Sequence, residues 1–228
     1  MEFSEVVESR RSVHQYADEA LDEETIEGIF GRVRHSPSSY NLQPWEFLVL
    51  TEDENRERLR SVAYDQEHVT DAPVAVVVLG NKDPSAHADA VLDDWVNKGY
   101  LPNEKARDAV MESIDGMAAL PEEERRIWTV RSTTLAVSAL MNAAWDEGVA
   151  TCPMGGFDAE ALVEEFDIDA EQYEPVMLVT MGYPDEDAAD VANERKFRRP
   201  VDEIVHFDEF DPVDSTQLPE ETPASADD

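Results

Sequence analysis

Residues 73–80 read Pro73-Val74-Ala75-Val76-Val77-Val78-Leu79-Gly80. The run shows no alternation of apolar and polar side chains. A strand with this pattern is buried on both faces, so it belongs in the interior of a sheet. Two further stretches fit the same sheet, Trp45-Glu46-Phe47-Leu48-Val49-Leu50 and Val176-Met177-Leu178-Val179-Thr180-Met181-Gly182. Helical periods separate them. Phe3, Val6 and Val7 predict a short first helix. Asp22 is a candidate N-cap for a second, in which Ile26, Ile29, Phe30 and Val33 follow at helical spacing. A surface helix is expected over 53–63 and another over 158–166. The stretch 84–118 reads as helix broken at Gly99 and Pro102. Strands mixed with helices around one sheet make the class α+β or α/β.

Pro121 suits the first turn of a helix, and Glu122-Glu123-Glu124 sit on the favourable side of its dipole. That helix is expected to run to Gly148, about 40 Å at 1.5 Å per residue. From Leu135 to Trp145 it is apolar or small almost all round. A helix of that kind must be covered on most sides, which in a small domain calls for a second subunit.

The chain has 228 residues and 42% hydrophobic content, enough for one large domain. No apolar run reaches the roughly 18–20 residues that span a bilayer. Met1-Glu2-Phe3-Ser4-Glu5 offers neither a basic n-region nor an apolar h-region. Cys152 is the only cysteine, which rules out an internal disulfide. These features fit a soluble cytoplasmic protein. Asp and Glu number 53 against 18 Lys and Arg, a formal charge of −35. Such a charge repels itself in dilute buffer and is screened by salt, with a Debye length of about 3 Å at 1 M. Only Lys82, Lys98, Lys105 and Lys196 are lysines; the other cations are arginines. We read this balance as adaptation to high salt. It also makes nucleic acid an unsuitable partner.

Against this acidic background, clustered cations are informative. Arg10-Arg11 and Arg195-Lys196-Phe197-Arg198-Arg199 lie near opposite ends of the chain. Brought together, they would make an anion site with Ser12 as a hydroxyl donor. Taken singly, they are equally compatible with ion pairs to the many carboxylates. Pro37-Ser38-Ser39-Tyr40-Asn41-Leu42-Gln43-Pro44-Trp45 packs hydroxyls and amides between prolines, which suits recognition of a polar heterocycle or simply a turn. Thr151-Cys152-Pro153-Met154-Gly155-Gly156-Phe157 carries two glycines that permit positive φ and close approach of a ligand, or a plain helix-to-helix turn. Cys152 reads as an apolar filler, with no base evident beside it in sequence. His14, His35, His68, His87 and His206 are scattered without metal-ligand spacing, so no metal site is expected. A P-loop and a G-x-G-x-x-G are both absent.

In order and spacing, four segments resemble the nitroreductase family of flavoproteins. They are Arg10-Arg11-Ser12-Val13, Pro37 to Trp45, Cys152 to Asp158, and Lys196-Phe197-Arg198-Arg199-Pro200-Val201-Asp202-Glu203-Ile204-Val205. The resemblance covers about residues 1–207 and is nearest the branch that reduces quinones and nitroaromatics. It implies an α+β fold, a three-layer α/β/α sandwich around a mostly antiparallel sheet, and an intertwined homodimer. It implies one FMN-binding domain over 1–207, followed by an acidic, disordered tail over 208–228. FMN would be held at the subunit interface. Arg10, Arg11, Ser12 and Arg198 would take its phosphate and ribityl chain, with Lys196 or Arg195 beside them. Asn41 would hydrogen-bond the isoalloxazine, and Pro37, Ser38 and Ser39 would reach it from the other subunit. Pro153, Met154, Gly155 and Gly156 would lie along the ring, with a backbone N–H near N5. Many relatives have Arg where this chain has His14, so position 14 departs from the pattern.

The activity implied is a ping-pong transfer of reducing equivalents from NADH or NADPH to a quinone, nitroaromatic or similar acceptor. No side-chain acid or base is required, because the cofactor carries the chemistry. Two other readings share the resemblance. One is an FMN enzyme with different chemistry, such as dehalogenation, dehydrogenation or flavin breakdown. The other is a flavin-binding protein without turnover.

Overall fold

The apolar run at 73–80 is a central strand. The structure is a computed structural model that describes residues 1–185, 187–192 and 195–212. The chain divides into two units, Met1–Asn193 and Glu194–Asp228. In order, the first contains α1 (Phe3–Ser9), α2 (Glu23–Val33), β1 (Trp45–Leu50), α3 (Asp53–Val62), α4 (His68–Asp71), β2 (Val74–Asn81), α5 (Ala88–Asn97), α6 (Glu104–Ala118), α7 (Glu122–Asp146), β3 (Ala150–Met154), α8 (Ala159–Glu165), β4 (Tyr173–Gly182) and α9 (Ala189–Ala192). The described part of the second unit holds one 3₁₀ turn, Val201–Glu203. Most of the expected acidic tail, from position 213 on, lies outside the described residues.

The sheet has the order β1-β2-β4-β3, and every pairing between these strands is antiparallel. β2 is buried at each position, as its sequence requires. Its side chains alternate between two cores. Val74, Val76 and Val78 pack with Ile29 and Val33 of α2 and with Ala136, Val137 and Leu140 of α7. Ala75, Val77 and Leu79 pack with Leu59 and Val62 of α3 and with Leu162 of α8. Helices therefore cover both faces, and the first unit is an α+β sandwich of three layers. Each fully buried valine of β2 contributes about 1.5–3 kcal/mol relative to exposure. β4 carries Pro175 although it lies inside the sheet. A register shift between Val78 and Leu79 of β2 accommodates it.

Local signals set the helix ends. The Asp22 carboxylate accepts from Thr25 N at 2.7 Å, the expected cap of α2. Asn103 caps α6 through Ala106 N at 3.1 Å. Pro121 stands one residue before α7, at the N-cap. Gly148, at φ 78°, ends α7 by adopting a left-handed turn that a side chain would disfavour. α7 is the expected long helix, and one of its faces is covered by the sheet. The opposite side leaves Leu135 49% exposed and Ile127 44% exposed. α5 and α6 form a third apolar cluster through Leu92 and Ile114, with Trp128 of α7 against it.

The sequence reading of 151–157 as a turn is corrected. Ala150–Met154 is a strand paired with β4 from Ala150↔Gly182 to Met154↔Leu178. Its proline is tolerated because β3 is at the sheet's edge. Gly155 and Gly156 also do not use positive φ; among the described glycines only Gly99 and Gly148 do.

Among the described residues, no helix is long and apolar enough to cross a membrane.

Candidate functional site

The segment after α1 runs beside the edge strand. Val13 N donates to Thr151 O at 3.2 Å, and Ser12 and Thr151 form a parallel bridge. The Tyr16 hydroxyl anchors the same segment by donating to Val13 O at 2.8 Å, and it lies 2.7 Å from Thr180 Oγ1 of β4. Arg10, Arg11 and Ser12 are thus fixed next to the strand that leads into Pro153, Met154, Gly155 and Gly156. Arg11 reaches Ser9 O at 3.4 Å and Val191 O of α9 at 3.2 Å, which holds its guanidinium against backbone.

A third segment, between α3 and α4, closes on the same place. Gln66 Nε2 donates to Ala63 O at 2.8 Å and to Gly156 O at 2.7 Å. Tyr64 and Asp65, both at positive φ, shape the turn that presents it. His68 Nε2 lies 3.1 Å from Met154 Sδ. The His14 and His68 rings meet edge to face with centroids 5.0 Å apart. Burial pushes the His68 imidazole below its ordinary pKa, and the neighbouring His14 adds to this. At Gly155, a Cβ would meet nothing within 4 Å, so its backbone faces open space.

Tyr64 to His68 and His14 were not singled out from the sequence as site residues. Their signal was weak, because Gln66 and His68 sit in a polar stretch that resembles any exposed turn. The fold gathers some of the histidines that lie scattered along the chain. Ligand atoms of His14, His68 and Cys152 lie within 4.8 Å of one another, although far apart in the chain. Cys152, read as having no base nearby, has two imidazoles beside it and is buried.

The Pro37–Trp45 loop is a strained turn. Tyr40, Asn41 and Gln43 have φ of 51°, 57° and 47°. Left-handed residues in such density cost energy and are retained where the surroundings fix them, often at functional sites. Here Ser38 Oγ accepts from Gln43 N at 2.9 Å, and Gln43 Nε2 donates to Asn41 O at 3.0 Å. The hydroxyl of Ser38 and the amide of Gln43 hold the loop. Among the described residues, the side-chain amide of Asn41 makes no hydrogen bond within the chain and remains available to a ligand. Asn41, Gln43, Trp45, Glu46, His87, Ala90, Val91 and Asp94 line a cavity of about 440 Å³.

Lys196 and Arg198 belong to the second unit. Both are exposed. The Arg198 guanidinium donates to Lys196 O at 3.0 Å and Phe197 O at 2.9 Å. Arg199 pairs with Glu203 at 3.3 Å.

Comparison with known proteins gives a consistent picture. The model of the nitroreductase family matches residues 7–183. YodC of Bacillus subtilis, which carries the name of an NAD(P)H nitroreductase, is 32% identical over 179 residues, 78% of this chain and 87% of YodC. The crystal structure of the Bacillus subtilis nitroreductase ydfN superposes with a TM-score of 0.82 at 28% identity, covering 90% of this chain and 98% of that one. A nitroreductase from Exiguobacterium sibiricum, crystallised in complex with FMN, superposes at 0.79 with 28% identity, covering 91% of this chain and 97% of that one.

Proposed function

The chain belongs to the nitroreductase family, and on that premise we propose that it is an FMN-dependent oxidoreductase passing reducing equivalents from NAD(P)H to a quinone, nitroaromatic or similar acceptor by a ping-pong route. The observation that carries this reading is the pairing of Val13 N with Thr151 O. It sets Ser12 opposite Thr151 of β3, the strand that runs on through Pro153 and Met154 to Gly155 and Gly156, so that the residues proposed for the phosphate and those proposed for the ring follow one edge of the sheet.

The residues present suit an FMN. Arginines offer forked donors to a phosphate, and Ser12 adds a hydroxyl. Gly155 leaves its backbone open to a flat ring. Asn41 keeps an amide unspent for a heterocycle, and Pro37, Ser38 and Ser39 would approach from a second copy of the chain. Lys196 and Arg198 would complete the phosphate site, which makes residues 1–207 one functional domain and 208–228 a tail. When bound, FMN supplies hydride acceptance and release. The chain supplies orientation, charge and exclusion of water.

A homodimer fits the same reading. The uncovered side of α7 contributes Leu135, Ser138, Ala139 and Asn142 to a groove of about 550 Å³ with Phe3 and Val6. A second copy would cover it. The acidic composition supports adaptation to high salt, and a cytoplasmic location is part of the same proposal. Anaerobic titration with NADH and with NADPH, followed by quinone and nitroaromatic acceptors, tests the activity. Bleaching by either donor and recovery of the spectrum on adding acceptor is expected. A flavin spectrum indifferent to both donors refutes it.

A further inference from the structure

The proposed flavin chemistry does not use Cys152, the only thiol in the chain. Three elements bring donor atoms to it. His14 comes from the segment after α1, His68 from α4 and Cys152 from the edge strand β3. Their ligand atoms all lie within 4.8 Å of one another. Met154, two residues along β3 and so on the same face as Cys152, places its thioether 3.1 Å from His68 Nε2. Cys152 and Met154 are both 5% exposed, so the sulfur donors are sheltered from solvent.

The donor set selects a class of ion. Magnesium, calcium and manganese prefer oxygen ligands, and among the described residues no carboxylate belongs to this cluster. Two imidazoles and a thiolate suit zinc or copper. A thioether is a poor ligand for zinc and a good one for copper, and two histidines, one cysteine and a weakly held methionine are a ligand set that copper takes. We propose that His14, His68 and Cys152, with Met154 as a weaker fourth donor, form a binding site for a thiophilic transition-metal ion, monovalent copper before zinc. Binding replaces the thiol proton by the metal and releases that proton to solvent, so no oxidant or reductant is consumed.

The site goes beyond the flavin reading, and its test keeps the two apart. The full chain as purified is titrated anaerobically with Cu(I) against a competing chelator, and in a second series with Zn(II). Flavin absorbance and metal content are read on the same sample, so either property can fail alone. One Cu(I) per chain is expected, with one proton released per ion. Cys152→Ser and His68→Gln should each weaken Cu(I) at least tenfold, and His35→Gln should leave it unchanged. Met154→Leu should weaken Cu(I) several-fold and leave Zn(II) unaltered. Circular dichroism of each variant establishes that it is folded. Copper binding that survives both Cys152→Ser and His68→Gln overturns the site, as does a chain that yields all its copper to the chelator. Tighter binding of Zn(II) than of Cu(I) overturns the choice of metal.

Discussion

Gly80 of β2 lies against Thr129 of α7 with no room for a methyl group between them. A Cβ at Gly80 would sit 2.6 Å from Thr129 Oγ1 and 3.0 Å from Thr129 Cγ2, with Thr133 Oγ1 at 3.2 Å. Both threonines are fully buried. The close approach of the sheet to the long helix therefore depends on a missing side chain. Gly80→Ala is expected to destabilise the fold by about 1–3 kcal/mol through overpacking. Gly80→Ala combined with Thr129→Ala should regain part of that loss. Denaturant melts of the three variants check this, and additive effects in the double variant would show that the two positions do not touch.

Arg56 ties the ends of two strands together. Its guanidinium, on a side chain almost wholly buried, donates to Thr51 O, to Pro73 O at 3.0 Å and to Asp53 at 2.5 Å. Hydrogen bonds from a charged donor are worth about 1.5–3 kcal/mol each. Arg56→Met keeps much of the volume and loses all three bonds. Stability should fall by about 2 kcal/mol or more, read as a lower midpoint in urea with an unchanged m-value. An unaltered midpoint would mean that water replaces the guanidinium without loss.

Lys82 is buried, and its ammonium donates to Glu122 and to Ala170 O at 2.7 Å. The hydrogen bond and charge of Lys82 hold the Glu122 carboxyl below its ordinary pKa. A carboxyl depressed in the folded state stabilises the fold above its unfolded pKa, about 4.3. That contribution disappears as pH falls through the lowered value. Glu122→Ala should therefore melt below the parent protein at neutral pH. The gap should hold down to about pH 5 and then narrow progressively as pH falls below the unfolded value. A gap independent of pH would place the effect of Glu122 in packing or helix charge alone.

The exposed apolar side of α7 and the charge of −35 make two linked predictions. Leu135→Glu should convert a dimer to monomers in sedimentation. The melting temperature of the parent chain should rise by several degrees between low and molar salt, as screening shortens the Debye length to about 3 Å. Monomeric parent protein at every salt concentration would remove the dimer, and a flat melting temperature would remove the salt adaptation.

The parts of the fold governed by local chemistry were legible in the sequence. Val74 to Leu79 could only be an interior strand, and Asp22 with Ile26, Ile29 and Val33 could only open an amphipathic helix. β3 was not legible, because Cys152-Pro153 has little strand character of its own and becomes a strand by pairing with β4. The site divides in the same way. Arg10, Asn41 and Gly155 stood out by residue type within short motifs. His14, Gln66, His68 and Cys152 gain meaning only from distances across the fold, which no spacing along the chain encodes. Glycine-rich sequence also misled in one respect, since Gly155 and Gly156 provide open backbone rather than left-handed turns.

The flavin content of the purified chain tests the central claim most directly. Extracted and quantified by its absorbance, FMN should be found at one molecule per chain. Arg10→Ala with Arg11→Ala should lose it while remaining folded. A colourless protein that takes up no FMN when mixed with an excess in molar salt would contradict the account.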